Sequence, residues 1–235
     1  MTEGNHWLAQ VDVLVMAAGT GSRMGMAERK QWLTLCGSPL FVYTLQKFRD
    51  YGADSLSVVI HPEDRARVRQ ALLEAGLVDV GIVTGGETRQ ASVRLGLAHS
   101  GRDFVAVHDG ARPFLEQADF ERVVKLAQTH GAATLGAPVR DTLKRVNTSG
   151  HIQANVAREG LWAVYTPQVF RRDWLQSAHQ RAHAEGFVGT DDTVLLERMG
   201  HVVEVVAGSP WNVKITEQAD LQWIRWWEMA MCESD

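Results

Sequence analysis

The chain has 235 residues, of which 45% are hydrophobic and 22% are charged, and its formal net charge is −4. This composition predicts a single packed domain over residues 1–235, and its mild acidity gives no electrostatic basis for a nucleic-acid partner. No apolar run is long enough to span a bilayer, and the first residues lack the basic region and apolar core of a signal peptide, so we expect a cytoplasmic protein without a membrane partner.

The first predicted element is a buried strand that ends in a glycine-rich loop. Residues 11–17 form a short apolar run rich in valine, and residues 18–25 contain three glycines. Because glycine lets a ligand approach the main chain closely, such a loop can present backbone N–H groups to a phosphate. Arg23 lies within the loop and Lys30 lies just beyond it. These cations indicate that charge is stabilised during a reaction rather than merely bound.

The glycine spacing differs from two common phosphate-binding motifs. A Walker A loop has Gly-Lys-Ser/Thr after four intervening residues, whereas that position after Gly19 is occupied by Met24. The dinucleotide fingerprint is G-x-G-x-x-G, whereas Gly19, Gly21 and Gly25 are spaced with one residue more. The sequence therefore disfavours a dinucleotide oxidoreductase. A plain strand–helix turn with solvated Arg and Lys side chains stays open as an alternative.

Strands and helices alternate along the next part of the chain. Helices are expected at residues 39–47, 63–75, 89–99 and 116–130, and strands at 57–60, 80–84, 104–108 and 132–139. This alternation predicts an α/β fold, a Rossmann-like and mainly parallel sheet with helices on both faces. Ligands of such sheets bind beyond the carboxyl ends of the strands. The first loop, Gly85-Gly86 and Asp109 should therefore converge on one crevice.

The alternation stops after Thr142. Residues 143–156 predict a β-hairpin with a polar turn, which by composition could be a plain surface hairpin. Helices are then expected at residues 170–185 and 190–199, a strand at 202–207 and a terminal helix at 217–231. The tryptophans of the terminal helix, Trp223, Trp226 and Trp227, are expected to pack against the body of the protein rather than to bind a ligand.

Several segments resemble one known enzyme family, in the order in which that family has them. They are Ala17-Ala-Gly-Thr-Gly-Ser-Arg-Met24 with Lys30-Gln31, and residues 85–93, 108–113, 137–144, 166–168, 190–192 and 212–216. This set is similar to the 2-C-methyl-D-erythritol 4-phosphate cytidylyltransferases of the non-mevalonate isoprenoid pathway, within the sugar-phosphate nucleotidyltransferase superfamily. Many sugar-nucleotide enzymes share the first loop, so the ordered set carries the resemblance.

The resemblance implies a cytidylyltransferase reaction. CMP would pass from CTP to 2-C-methyl-D-erythritol 4-phosphate, giving 4-diphosphocytidyl-2-C-methyl-D-erythritol and pyrophosphate, with Mg²⁺ or another divalent cation as cofactor. Both reactants are anionic, so the protein must neutralise and align them. A ribitol 5-phosphate cytidylyltransferase is a close alternative. A catalytically silent nucleotide-binding regulator would be expected to lose Arg23, Lys30 or Asp109, and all are present.

The resemblance also assigns site residues. The catalytic residues would be Arg23, Lys30, Arg158 and Lys214. The nucleotide-binding residues would be Ala17, Ala18, Gly19, Thr20, Gly21, Gly85, Gly86, Glu87 and Ser92. The substrate-binding residues would be Asp109, Arg112, Thr142, Thr166 and Thr190. Asp109 follows an apolar run, where a carboxylate is a natural Mg²⁺ ligand; the alternative is that Asp109 caps the turn into Gly110.

The same resemblance implies a function for the hairpin. It implies a protruding arm at about residues 140–160 that pairs two subunits into a homodimer. A lone hairpin is marginal in water, so this one should pack on something. Thr142 and Arg158, at the two bases of the hairpin, would then reach the crevice of the partner subunit.

Arg29 and Glu87 depart from the family pattern, which usually has proline and aspartate at these positions. Without proline the loop loses a restraint, and Arg29 could compete with Lys30 for phosphates. The longer Glu87 side chain could shift the contacts to the base. Among the remaining polar residues of the motifs, His108 is expected to be structural and Arg89 to order its loop. Asp191-Asp192 could contact the residues that line the site, or could cap the N-terminus of a helix.

Overall fold

The computed structural model describes residues 6–19 and 29–231. The strands, in chain order, are β1 (Val11–Ala17), β2 (Thr34–Leu35), β3 (Ser38–Pro39), β4 (Leu56–Ile60), β5 (Gly81–Thr84), β6 (Phe104–Asp109), β7 (Ala132–Pro138), β8 (Leu143–Val146), β9 (Ile152–Val156), β10 (Trp162–Arg171) and β11 (Glu204–Ala207). The α-helices are α1 (Leu40–Asp50), α2 (Arg65–Glu74), α3 (Arg89–Leu97), α4 (Gln117–His130), α5 (Arg172–Ala184), α6 (Asp192–Arg198) and α7 (Leu221–Met231). None of these helices in the described part of the chain is long and apolar enough to cross a membrane.

Within the described residues, seven strands form the main sheet in the order β11-β7-β10-β6-β1-β4-β5. The pairs of β1 with β4 and β6, of β4 with β5 and of β7 with β11 are parallel, whereas β10 is antiparallel to both of its neighbours. The mainly parallel sheet predicted from the sequence is confirmed. The strand order reverses beside β1, and such a switch point opens a crevice beyond the carboxyl ends of the strands.

Helices cover both faces of the sheet, as predicted. Val13 and Val15 of β1 pack in a core with α1, α2 and α4, whereas Leu14 packs in a second core with α3, α5 and α6. Successive side chains of a strand point to opposite faces, so one apolar run supplies both cores. A continuous rather than alternating apolar pattern is typical of a strand buried on both faces.

Strand β10 corrects the sequence prediction. A helix was expected over residues 170–185, but Phe170 and Arg171 belong to β10 and the helix begins at Arg172. Pro167 argues against a strand, because proline cannot donate to a sheet ladder. Pro167 lies where the pairing of β10 with β7 shifts register, between Tyr165 and Gln168. Its missing N–H therefore interrupts the ladder only at an irregularity.

The terminal helix is partly exposed. Trp227 packs against Phe114 and donates a hydrogen bond to the Tyr43 hydroxyl at 3.0 Å, as expected. Trp226 is 46% exposed and stacks on Trp211, which lies outside the helix, so it also packs against the body while part of its surface stays exposed. The helix and the small β2–β3 ribbon share a third apolar core.

The predicted hairpin is present as the antiparallel pair of β8 and β9. Leu143 pairs with Val156 at its base, and the register shifts near its tip. The apolar side chains of Val146 and Ile152 are 50% and 66% exposed. This segment therefore presents apolar surface that the rest of the described chain leaves uncovered.

Phe170 provides a test of the β10 assignment. Its side chain is fully buried in the second core, so Phe170→Ala should lower the free energy of unfolding by about 3–5 kcal/mol, the usual cost of a large core truncation. Leu73→Ala is the control, because Leu73 is 59% exposed on α2 and should change stability by about 0.5 kcal/mol or less. Urea denaturation measures both. Equal small losses would contradict the position of Phe170 in the core.

Candidate active site

A cavity of about 340 Å³ opens at the carboxyl end of the sheet. Its lining residues are Met16, Ala17, Ala18, Gly19, Lys30, Gln31, Gly86, Glu87, Thr88, Arg89, Ser92, Asp109, Gly110, Ala111, Lys214 and Thr216. The exits of β1, β5 and β6 thus meet at one crevice, as the strand order predicts. Thr20, Gly21 and Arg23 of the predicted site lie outside the described residues.

The turn after β5 packs closely against the exit of β1. The Gly85 N–H donates to the Ile60 carbonyl at 2.7 Å, and a Cβ atom at Gly85 would lie 2.7 Å from that of Ala18. Only glycine fits such a close approach. The hydroxyl of Ser92 accepts from the Gly86 N–H at 3.0 Å and donates to the Gly86 carbonyl at 3.3 Å. Ser92 is 2% exposed, so it shapes the turn.

Asp109, at the end of β6, is surrounded by cations. Lys214 Nζ lies 2.6 Å from its Oδ2, Arg89 Nε lies 3.5 Å from its Oδ1, and Arg112 Nε lies 3.8 Å from its Oδ2. Burial would raise the pKa of the Asp109 carboxyl, but the charges of Arg89 and Lys214 outweigh burial and hold that pKa below its usual range. The side chain therefore stays ionised and pairs with cations instead of capping the turn into Gly110.

The backbone before Asp109 is held by buried polar contacts. The Asp109 N–H donates to Thr166 Oγ1 at 3.0 Å, and His108 lies within hydrogen-bond distance of both Thr166 Oγ1 and the Arg112 carbonyl. Burial lowers the pKa of His108 to about 4, so the ring is neutral at pH 7. His108 thus has the structural surroundings expected of it, and Thr166 positions Asp109.

Sequence reasoning missed the central position of Arg89. Its Nη1 donates to Asp192 Oδ2 at 2.7 Å while its Nε faces Asp109, so one guanidinium joins two buried carboxylates. Burial disfavours the charge of Arg89, but Asp192 and Asp109 outweigh that effect and raise the pKa of Arg89. Arg89 is the first residue of α3, directly beyond the turn at Gly85-Gly86. That place at a strand exit was the available sequence signal.

The structure separates the roles of the two adjacent carboxylates at the start of α6. Asp191 caps the helix by accepting from the Val194 N–H at 3.3 Å. Asp192 lies between Arg89 and His179, with His179 Nε2 at 2.9 Å from Asp192 Oδ1. The two alternatives left open by the sequence are therefore both correct, one for each residue.

A second cavity, of about 490 Å³, adjoins the first at the same charged cluster. Both cavities are lined by Arg89, Asp109 and Lys214. The second is also lined by Arg112, Thr166 and Thr190, to which the family resemblance gave contacts with the acceptor substrate. Two ligands, one in each cavity, would therefore meet beside the cations that surround Asp109.

The segment before α7 carries Lys214 and contacts Lys30 at the crevice. The Ile215 N–H donates to the Ala111 carbonyl at 2.8 Å, and Lys30 Nζ donates to the Ile215 carbonyl at 3.2 Å. Lys214 is thereby held beside Asp109. Asn212 shapes the same segment, since its Nδ2 donates to the Thr166 carbonyl at 2.9 Å.

Thr142 and Arg158 are not brought to the crevice of their own chain. Both are exposed at the base of the hairpin, and neither lines either cavity. The Arg158 guanidinium donates to the Arg140 carbonyl, on the same arm. Neither residue therefore belongs to the crevice that its own chain forms in the described residues.

The donor set around Asp109 limits how a metal could bind. No group of three or more His, Cys, Asp or Glu residues suited to a metal occurs in residues 6–19 and 29–231. Mg²⁺ at phosphate-transfer sites commonly takes one or two carboxylates and completes its shell with substrate phosphates and water. Asp109 fits that pattern as a single carboxylate ligand, and it does not form a protein-only metal site.

Comparison with known proteins identifies the family. The profile of the 2-C-methyl-D-erythritol 4-phosphate cytidylyltransferase family, IspD, matches residues 11–226. The protein of that name from Aquifex aeolicus is 43% identical over 225 residues, covering 94% of this chain and 98% of the relative. The one from Geobacillus kaustophilus is 40% identical over 213 residues, covering 89% and 93%.

Solved structures agree in fold. The crystal structure of 2-C-methyl-D-erythritol 4-phosphate cytidylyltransferase from Thermus thermophilus matches with a TM-score of 0.79 and 33% identity, over 94% of this chain and 99% of that one. The synthase from Anaerococcus prevotii matches in fold with a TM-score of 0.80 at 24% identity, over 93% and 98%. With a profile match over most of its length and relatives at about 40% identity, the chain belongs to the 2-C-methyl-D-erythritol 4-phosphate cytidylyltransferase family.

Proposed function

We propose that this chain transfers CMP from CTP to 2-C-methyl-D-erythritol 4-phosphate, giving 4-diphosphocytidyl-2-C-methyl-D-erythritol and pyrophosphate. The observation that carries the proposal is the meeting of two cavities at the cations around Asp109. A reaction between two anions needs such a place, since both must be neutralised and aligned. The relatives bear the name 2-C-methyl-D-erythritol 4-phosphate cytidylyltransferase, which states the same acceptor and the same transferred group.

CTP would occupy the cavity between the glycine loop and the β5 turn. Main-chain groups of Gly86 can meet the edge of cytosine, and Glu87 is exposed on the same rim. Ala17 to Gly21 and Gly85 would complete the nucleotide site, with Lys30 facing the triphosphate. Arg23, present in the loop sequence, would add charge there.

The acceptor phosphate would enter from the second cavity. Arg112, Thr166 and Thr190 line it and would contact the polyol phosphate. A phosphate nucleophile is already ionised at neutral pH, so the reaction needs positioned cations more than a general base. Lys214 lines both cavities and can neutralise the attacking group while Lys30 and Arg23 stabilise charge on the α-phosphate and the leaving pyrophosphate.

We also propose that a divalent cation, most simply Mg²⁺, binds with the nucleotide. Asp109 would supply a carboxylate ligand and the phosphates would supply others. Its chemistry is to offset charge on the phosphates of CTP. The surrounding cations of the protein would share that task.

The whole chain is proposed to act as one nucleotidyltransferase domain in the cytoplasm. Residues at about 140–160 would form the arm of a homodimer, in which Thr142 and Arg158 reach the partner's crevice. Supporting this, the apolar side chains of Val146 and Ile152 are exposed in the isolated chain. A second subunit would cover them.

Substrate choice tests the function directly. With CTP and 2-C-methyl-D-erythritol 4-phosphate the purified protein should release pyrophosphate, and kcat/KM with UTP should be lower by about 10²-fold or more, because a site that pairs the cytosine amine rejects an analogue lacking it. A panel containing ribitol 5-phosphate identifies the acceptor. Activity with ribitol 5-phosphate alone would overturn the acceptor assignment, and equal use of UTP would overturn the nucleotide assignment.

Lys30 and Arg23 are expected to act on the transition state. Lys30→Ala and Arg23→Ala should each lower kcat by roughly 10²-fold or more, the scale of losing one donor to developing negative charge. Thermal unfolding should change little for Lys30→Ala, because Lys30 lines the cavity rather than the core. The same is expected of Arg23→Ala, because Arg23 belongs to the glycine-rich loop of the sequence. Single-turnover kinetics at saturating CTP make the measurement. A rise in KM with unchanged kcat would instead show that these residues bind the substrate and the transition state equally well.

Mixing inactive variants tests the homodimer. If Arg158 acts in the partner's crevice, a mixed dimer of Arg158→Ala and Lys30→Ala holds one intact site and one doubly damaged site. After random exchange of equal amounts, half of the dimers are mixed, and each mixed dimer has one intact site of two. About one quarter of the activity should therefore be restored.

The control mixture is Lys30→Ala with Asp109→Asn, whose changes affect the crevice of each variant's own chain. Every site in that mixed dimer has one damaged residue, so activity should stay low. Subunit exchange is followed with distinguishable tags. Confirmed exchange without recovery in the Arg158 mixture would show that Arg158 acts within its own chain.

A further inference from the structure

Arg29 is held by carboxylates of a neighbouring loop. Its Nη1 donates to Asp64 Oδ1 at 2.8 Å, and its Nη2 donates to a carboxylate oxygen of Glu63. Both acidic residues belong to the short 3₁₀-helix Pro62–Asp64 that follows β4. These contacts, which raise the pKa of Arg29 chiefly through the Glu63 hydrogen bond, occupy the guanidinium. Arg29 lines neither cavity, so it does not compete with Lys30 for phosphates in this structure.

Asp64 also holds the residue on the other side of Lys30. Its Oδ2 accepts from Gln31 Nε2 at 3.3 Å, and both Gln31 and Asp64 are buried. One carboxylate therefore contacts both chain neighbours of Lys30. The 3₁₀-helix Lys30–Trp32 continues this arrangement, with the Trp32 N–H donating to the Arg29 carbonyl at 3.0 Å.

The two ends of this short segment differ in what anchors them. On the carboxyl side, the Trp32 ring is buried and packs edge-on against Phe41 at 5.2 Å. On the amino side, the glycine-rich loop precedes Arg29 in the sequence. The Arg29 side chain is anchored by its contacts with Glu63 and Asp64.

The backbone of Arg29 has a conformation that proline would adopt unaided. Its φ is −66° and its ψ is 137°, and a proline ring fixes φ at about −65°. An ordinary residue can leave this conformation, so arginine needs an external restraint where proline carries an internal one. The ion pairs supply that restraint.

We propose that Arg29 and Asp64 form a clamp that positions Lys30 for catalysis. The clamp fixes the backbone of Arg29 and Gln31, and thereby directs the Lys30 side chain into the crevice beside Lys214. Arg29 is a positioning residue and touches no substrate. The proposal rests on the catalytic role given to Lys30 in the proposed function.

The test compares Arg29→Ala with Arg29→Pro. Arg29→Ala should lower kcat by about 10-fold, within the range that small misplacement of a catalytic group costs, with little change in KM for CTP. Arg29→Pro should keep kcat within about 2-fold of the unmodified protein, because the ring replaces the restraint without any ion pair. A purely stabilising ion pair would not be rescued in kcat in this way.

Asp64→Asn gives an independent arm of the experiment. Asparagine keeps an oxygen that can accept from Gln31 but loses the charge that pairs with Arg29. Alone it should lower kcat by less than Arg29→Ala does, because the contact of Arg29 with Glu63 remains. Combined with Arg29→Ala it should add little, since Arg29→Ala already removes the Arg29–Asp64 ion pair. Combined with Arg29→Pro it should have almost no effect.

Arg49→Ala is the matched control. Arg49 forms a similar ion pair with Asp79 at 2.7 Å, with 28% of the Arg49 side chain exposed against 25% for Arg29, but it lines neither cavity. It should leave kcat unchanged. Thermal unfolding of every variant shows whether each is folded at the assay temperature.

The outcomes separate the clamp from the role of Lys30. If Lys30→Ala has normal kcat, the proposed function is wrong about Lys30. If Lys30→Ala is impaired while Arg29→Ala is normal, the clamp is wrong. If Arg29→Pro is folded yet as impaired as Arg29→Ala, backbone restraint is not what Arg29 provides and the proposal is overturned.

Discussion

The buried carboxylate of Asp109 is the interaction on which the crevice depends. A buried carboxylate without partners is very costly, and removing one partner of a buried pair leaves an uncompensated charge. Asp109 is 8% exposed and retains its charge because Arg89, Lys214 and Arg112 approach it. In the proposed function, the same carboxylate holds in place the cations that would face the anionic substrates. The charges proposed for substrate recognition would then also be charges on which the fold depends.

The cations around Asp109 come from separate parts of the chain, and Arg89 and Arg112 each have a further hydrogen-bond acceptor. Arg89 is anchored by Asp192, which in turn contacts the buried His179. Arg112 donates to the Asn212 carbonyl at 2.7 Å, and this contact ties the turn after β6 to the segment that carries Lys214. The free-energy changes of mutations within one network of charged groups are not additive. A substitution at Asp192 or Asn212 should therefore alter the interactions of the whole cluster around Asp109.

Sequence reasoning was most accurate where neighbouring residues define an element. The run at residues 11–17 was identified as a strand to the residue, and the strand exits met where the α/β pattern predicted. The sequence-based prediction was wrong at β10, which lies between β6 and β7 but contains Pro167, a residue atypical of strands. Pairing on both edges outweighed the local signal, because a strand gains its stability from neighbours that are distant in sequence.

The sequence by itself determined the family, the alternation of strands and helices, and the motifs that line the crevice, since these depend on residue type, order and periodicity. Only the tertiary structure decided which charges meet: that Arg89 joins Asp109 to Asp192, that Asp191 caps a helix while Asp192 does not, and that Arg29 pairs with Asp64. Charge pairing depends on distances of a few ångströms between side chains and on their burial. Those distances arise only when elements far apart in the chain pack together.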